Sequence, residues 1–196
     1  MADILATVRD HLLEHFARSG SPEPDEASVT FLGTERMGIL RFADASDVAA
    51  HYVSLGCSRH PMADAAEFVA DPVTGPRAEV TVTLRGPSPV GLARSIAILA
   101  AAPAVEGLVL EPDALIDLET PLWQGAPFTA FLLGRSDIDD IALPEPMSPV
   151  VVFAAVPITA TEAAWVRLKG AEAMREAWRQ DGVDVRDPAR RAANPT

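Results

Sequence analysis

Val150-Val151-Val152-Phe153-Ala154-Ala155-Val156-Pro157-Ile158-Thr159-Ala160-Thr161-Glu162 is the stretch whose reading decides the fold. Its first seven residues are all apolar, and several are β-branched. A half-exposed strand would alternate, so this one is expected to be buried on both faces, inside a sheet. Pro157 has no N–H to give to a ladder and is expected to end the strand. Thr159 and Glu162 have the spacing of a capping box, in which each side chain satisfies a backbone N–H of the other, so a helix should open there.

The flanking segments extend the pattern. Phe128 to Leu133 reads as a second largely apolar strand, and Ala171 to Gln180 as a helix with Met174 and Trp178 one turn apart. Arg77 to Arg85 alternates cleanly: Ala78, Val80, Val82 and Leu84 on one side, with Arg77, Glu79, Thr81, Thr83 and Arg85 on a polar side. Gly86-Pro87 ends it. Ser88 and Pro89 then open a helix with Leu92, Ile96 and Leu99 in its buried stripe, expected to stop before Pro103. Ser28–Leu32 and Met37–Phe42 read as strands around the turn Gly33-Thr34-Glu35-Arg36, and His51–Leu55 as another. Leu108–Leu110 and Ala114–Leu118 read as short strands. Asp3 can cap a helix running to about Arg18, with Ile4, Leu5, Val8, Leu12 and Phe16 on one face. The reading is α+β: a mixed, largely antiparallel sheet flanked by helices. It divides the chain into an N-terminal helix and linker (1–27), a main domain (28–181) and a tail laid on the surface (182–196).

Composition narrows the function. Apolar residues make up 48% of the 196, enough for a core, and the formal net charge is −12. So acidic a chain has no basic groove for nucleic acid. It suits a solvated cytoplasmic protein or one with a basic partner. No apolar run is long enough to span a membrane. The start of the chain lacks the basic-then-apolar order of a signal peptide. Cys57 is the single cysteine, which excludes an internal disulfide or a cysteine zinc site.

Four places invite a chemical reading. His11-Leu12-Leu13-Glu14-His15 fits the H-x-x-E-H pattern of some zinc proteases, but no third ligand is evident, so no metal is expected. Ser54-Leu55-Gly56-Cys57-Ser58-Arg59-His60 offers a thiol with a nearby base, against the plainer reading of a small buried thiol in a turn. Asp137, Asp139 and Asp140 lack the glycine and closing glutamate of a calcium loop and read as a mobile solvated loop. Trp123 is read as a core lid, with an exposed binding anchor as the alternative. No glycine motif for phosphate is present, and no cofactor or catalytic residue is assigned.

The order of segments resembles the suppressor of fused domain family. The residues carrying the resemblance are His51 to Ser58, a strand ending in glycine and serine; Ala78 to Leu84, an alternating strand with a glutamate; the Leu92 to Ala100 helix; Asp117 to Leu122 with its Pro-Leu pair; and Val151 to Glu162. Gly170 to Met174 continues in register with the family's final helix, and the match covers roughly residues 28–180. Arg59-His60-Pro61 departs from the acidic and apolar residues usual after the serine. The resemblance implies a mixed sheet flanked by helices and a binding protein without catalysis. In the animal relative such a protein grips an extended peptide of a transcription factor and uses an additional C-terminal domain, for which this chain has no room. Bacterial relatives of this length are proposed to be immunity proteins that neutralise toxins.

The expectation is therefore a non-enzymatic protein-binding module, either an immunity protein or a regulatory one, acting as a monomer or weak homodimer. Its partner is a protein or peptide, a basic one being the charge-matched option. Arg59, His60, Trp123, Asp137, Asp139 and Asp140 are the candidate partner-binding residues. The alternative is a hydrolase or thiol enzyme using Cys57 and His60.

Overall fold

The computed structural model describes residues 3–21, 23–31, 35–43, 48–64, 71 and 73–193. Gly33 and Thr34 of the expected turn, and part of the connection between residues 56 and 76, lie outside them.

Asp3 accepts a hydrogen bond from the Ala6 N–H and starts helix α1 (Ile4–Arg18), whose buried residues are Val8, Leu12 and Phe16. Strands β1 (Asp25–Val29), β2 (Met37–Ala43), β3 (Ala49–Leu55) and β4 (Arg77–Arg85) follow, each antiparallel to the one before. Helix α2 (Leu92–Glu106) crosses to a second antiparallel run, β5 (Leu115–Asp117), β6 (Phe128–Arg135) and β7 (Val150–Thr159). The chain closes with α3 (Ala160–Lys169) and α4 (Ala171–Gln180). The seven strands form one sheet in the order β1-β2-β3-β4-β7-β6-β5. Its one parallel pairing, β4 with β7, joins the two runs.

The apolar stretch that fixes the architecture is thus an inner strand beside β6, as its composition requires. Pro157 does not end it: β7 runs on to Thr159, and Pro157 stands opposite Phe131. The Pro157 carbonyl accepts from Arg190 Nη2 at 2.8 Å. In a strand the N and C=O of one residue face the same edge, so the missing N–H faces away from β6. The pairing to β4 has already stopped at Ala154, so no ladder bond is lost.

Helix α2 also differs from expectation. It opens at Leu92 rather than at Pro89, while the Ser88 hydroxyl bonds the Tyr52 hydroxyl at 2.7 Å. Pro103 lies inside its last turns, and the helix ends at Gly107, whose N–H bonds the Pro103 carbonyl and whose positive φ of 66° turns the chain out of the helix. Burial of Ala100, Ala101 and Ala102 carries the helix past the proline.

Side-chain alternation assigns the covers. One face of the sheet takes Val80, Val82, Phe131, Leu133 and Phe153 against α2. The other face has two covers. Helix α1 lies over Leu40, Phe42, Val53, Val150 and Val152, while α3 and α4 lie over Ala130, Leu132 and Ile158. The polar side of β4 is therefore not a solvent face: Glu79 is 0% exposed, Arg77 3% and Thr81 5%.

Residues 182–193 are more than a surface layer. Arg190 and Ala193 are buried, and Arg190 donates to both carboxylate oxygens of Glu162 at 2.8 and 3.0 Å. Glu162 also completes the capping box with Thr159 and accepts from Trp178 Nε1 and the Ala193 N–H.

Candidate functional site

The turn after β3 is shaped from beneath by Glu79. Its Oε1 accepts from the N–H of Gly56 at 2.9 Å, the N–H of Ser58 at 3.0 Å and the Ser58 hydroxyl at 2.6 Å. Its Oε2 accepts from the Ser54 hydroxyl, which itself takes the Val80 N–H at 2.9 Å. Gly56 has φ 149°, and a Cβ there would come within 2.9 Å of the Met37 sulfur, so this position belongs to glycine. Arg77, on the same side of β4, donates through Nη1 to the Ser58 and Arg59 carbonyls at 2.9 and 3.0 Å. A buried carboxylate saturated by donors stabilises a turn and has no lone pair left for a substrate.

Cys57 sits in this turn, buried, and burial followed by the nearby Glu79 charge pushes its thiol well above the usual range. His60 is exposed and faces Glu35 at 3.1 Å, and Arg59 Nε also reaches Glu35, at 2.8 Å. The pair considered for thiol chemistry is therefore an interior thiol kept protonated and a surface imidazole that faces Glu35, with no hydrogen bond between the two among the described residues. An opening of about 240 Å³ lies beside the turn, lined by Met37, Gly56, Cys57, His60 and Ala101 among others. The expected measurement is slow chemistry. At pH 7 iodoacetamide should modify native Cys57 at least ~10-fold more slowly than the urea-unfolded chain, because only thiolate reacts. Equal rates would mean an accessible, ionised thiol.

The other candidates lie in different surroundings. Trp123 is buried against Phe128, ring centroids 5.2 Å apart, so it offers no exposed ring to a partner. Asp137, Asp139 and Asp140 are exposed. Their segment also makes contacts with the sheet: Ile138 is buried, the Ser136 hydroxyl donates to the Val152 carbonyl at 2.6 Å, and Ile141 bridges Val150. Arg59 and His60 share Glu35, and no hydrogen bond or ion pair joins them to the acidic segment among the described residues. His15 packs edge-on against Phe16, Glu14 pairs with Arg18, and no cluster of three metal-ligating side chains occurs among the described residues.

The sequence model for suppressor of fused protein (SUFU) matches residues 33–191. The chain belongs to the suppressor of fused family. Solved SUFU structures share the fold. A protein described as a SUFU homologue from Neisseria gonorrhoeae FA 1090 is 17% identical with a TM-score of 0.68, covering 98% of this chain and 97% of that one. A chain of the Sufu–Fu complex is 15% identical with a TM-score of 0.67, covering 96% of this chain and 91% of that one. Drosophila Suppressor of Fused is 15% identical with a TM-score of 0.68, and the match takes in 95% of this chain but 50% of that protein. No curated protein matches the chain. Two of the SUFU-like segments, the strand ending in Gly56 and Ser58 and the strand carrying a glutamate, meet at the Glu79 carboxylate. Glu79 and Arg77 escaped the sequence reading. The available signal was a strand exit rich in small donors, Ser54, Gly56 and Ser58, with few carboxylates in strand positions to meet them.

No helix among the described residues is long and apolar enough to cross a membrane.

Proposed function

We propose that this chain is a non-enzymatic protein-binding module that works in the cytoplasm as a monomer or weak homodimer. Its partner on this reading is a basic polypeptide, either a toxin that it neutralises or a protein that it regulates. The observation that carries the proposal is the placement of charge. The groups capable of chemistry, Glu79 and Cys57, are interior and committed, whereas Asp137, Asp139 and Asp140 are exposed and form no ion pair among the described residues. A net charge of −12 attracts cations over long range and speeds their encounter. That a family relative was solved as a Sufu–Fu complex supports a polypeptide as the ligand class. Arg59 and His60 supply a second polar surface at the Glu79 turn. The thiol-enzyme alternative is disfavoured by the burial that keeps Cys57 protonated.

The test is capture from the native host, followed by association kinetics with the purified partner. The expected partner is basic. Its association rate should fall about tenfold or more between low and physiological salt, as screening shortens the field. It should also fall when Asp137, Asp139 and Asp140 are all changed to Asn. A rate indifferent to salt and to the triple variant would remove the acidic surface from recognition.

A further inference from the structure

β4 and β7 are parallel neighbours, and the chain leaves them toward opposite faces, β4 for α2 and β7 for α3. Strands that part in this way open a crevice beyond their carboxyl ends, where open sheets bind ligands. Here the pairing stops at Thr81 opposite Ala154. Further on, the Arg85 N–H is taken by the Arg186 carbonyl at 2.8 Å, so Arg186 stands beside β4 where β7 has diverged from it. The space left has a volume of about 300 Å³ and is lined by His51, Thr81, Thr83, Asp137, Ala154 and Val156, with Val185 and Arg186 at its far wall.

Three features mark this crevice. It lies on the face that α1 covers at one side and α3 with α4 at the other, leaving Ala154 and Val156 half-exposed in the middle of an inner strand. Such a strand is normally covered on both faces. The Thr81 hydroxyl lines it, on a residue only 5% exposed, and has no hydrogen-bond partner. A buried hydroxyl is seldom left so. Finally, the mouth holds a carboxylate without a partner. Arg186 and Arg85 share Asp184 at 3.2 and 3.0 Å, and His51 is held by the Thr83 hydroxyl at 3.0 Å and by Phe16, while the Asp137 carboxylate has no ion pair among the described residues. Asp139 and Asp140 follow it in the exposed segment.

We propose that this crevice receives a cationic side chain, the guanidinium of an arginine presented by the partner polypeptide. Asp137 is its counter-ion at the mouth. The Thr81 oxygen accepts one of its N–H groups, and the aliphatic stem lies on Ala154 and Val156. Arginine fits better than lysine because its planar fork can meet a carboxylate and a hydroxyl together. The inference rests on the binding-module reading and adds to it a pocket and a chemical group.

The experiment uses N-acetyl-arginine amide as probe and N-acetyl-citrulline amide as its neutral counterpart, with amide chemical shifts of the full chain as the readout. The arginine probe should give saturable shifts at Thr81, Thr83, Asp137, Ala154 and Val156, and the citrulline probe none. Asp137→Asn should weaken binding by about tenfold or more, the usual worth of a charge-assisted contact. Thr81→Val should weaken it less without harming the fold, since that hydroxyl has no internal partner, and Ala154→Leu should block the probe. Equal response to citrulline, unsaturable shifts, or affinity unchanged in Asp137→Asn overturns the inference. The probe needs no partner. A crevice that binds no guanidinium therefore overturns this inference alone, and one that binds it while host capture yields no partner overturns the binding-module reading alone.

Discussion

Glu79→Ala should lower the unfolding free energy by about 4 kcal/mol or more, a large part of the total of a typical domain. The substitution removes the acceptor of two backbone N–H groups and two hydroxyls, all in or next to the turn at residues 54–58. The Ser hydroxyls can rotate to other partners, but the N–H groups of Gly56, part-buried, and Ser58, buried, are fixed and become orphans. Each orphan costs about 1–3 kcal/mol, and the lost side-chain volume adds a cavity term. Glu79→Gln should fall between, near 2 kcal/mol, because its carbonyl oxygen can keep the two N–H groups while its NH₂ takes from the Ser54 O–H the acceptor it now has. Urea unfolding of the three proteins measures this. An alanine variant within about 1 kcal/mol of wild type would mean that the turn is held by something else.

Arg190→Ala should cost about 3–5 kcal/mol, because it leaves the Glu162 carboxylate buried without its cation. Arg190 lies 4.8 Å from the Phe128 ring centroid and 5.7 Å from that of Trp178, so packing is lost as well. The same pair predicts an acid limb. Burial pushes the Glu162 pKa up, but the hydrogen bonds from Arg190, the Thr159 N–H and Trp178 outweigh it and hold it below the usual range. A folded-state pKa below the unfolded one gives stability that is complete above the ordinary glutamate value. It is lost as pH falls through the folded value. Wild type should therefore weaken progressively below about pH 4. Glu162→Gln, though less stable at neutral pH, should show a shallower loss there. Parallel acid limbs in the two proteins would show that Glu162 titrates alike folded and unfolded.

The strand boundaries of β4 were legible because alternation and Gly86-Pro87 are local signals. The covering of its polar side was not. Alternation reports that a strand has two faces, and only tertiary packing decides which of them meet solvent. Arg77, Glu79 and Thr81 look like a wet face until α1 and the Ser58 turn are placed above them. The capping box at Thr159 and Glu162 was legible for the same local reason, whereas the use of that glutamate by Arg190, 28 residues on, was not. Pro157 and Pro103 misled in one way: each lacks a donor, but each sits where no donor is required or where burial outweighs its loss. The exposure of the acidic segment was legible in its charges, whereas its contacts through Ile138 and Ile141 were hidden between them.

The sheet is two meanders, β1 to β4 and β5 to β7, joined only where β4 lies beside β7. Within each meander every strand pairs with its sequence neighbour, across connections that run from the five residues 44–48 to the 21 residues 56–76, and the entropic cost of closing each grows only slowly with its length. The seam unites residues 77–81 with residues 150–154, and the whole of α2, β5 and β6 must be threaded between them first. Long-range parallel pairing of this kind slows folding. The seam, with the α1 and α2 packing that spans both meanders, is where two locally paired halves become one topology, and it carries the longest sequence separation in the sheet.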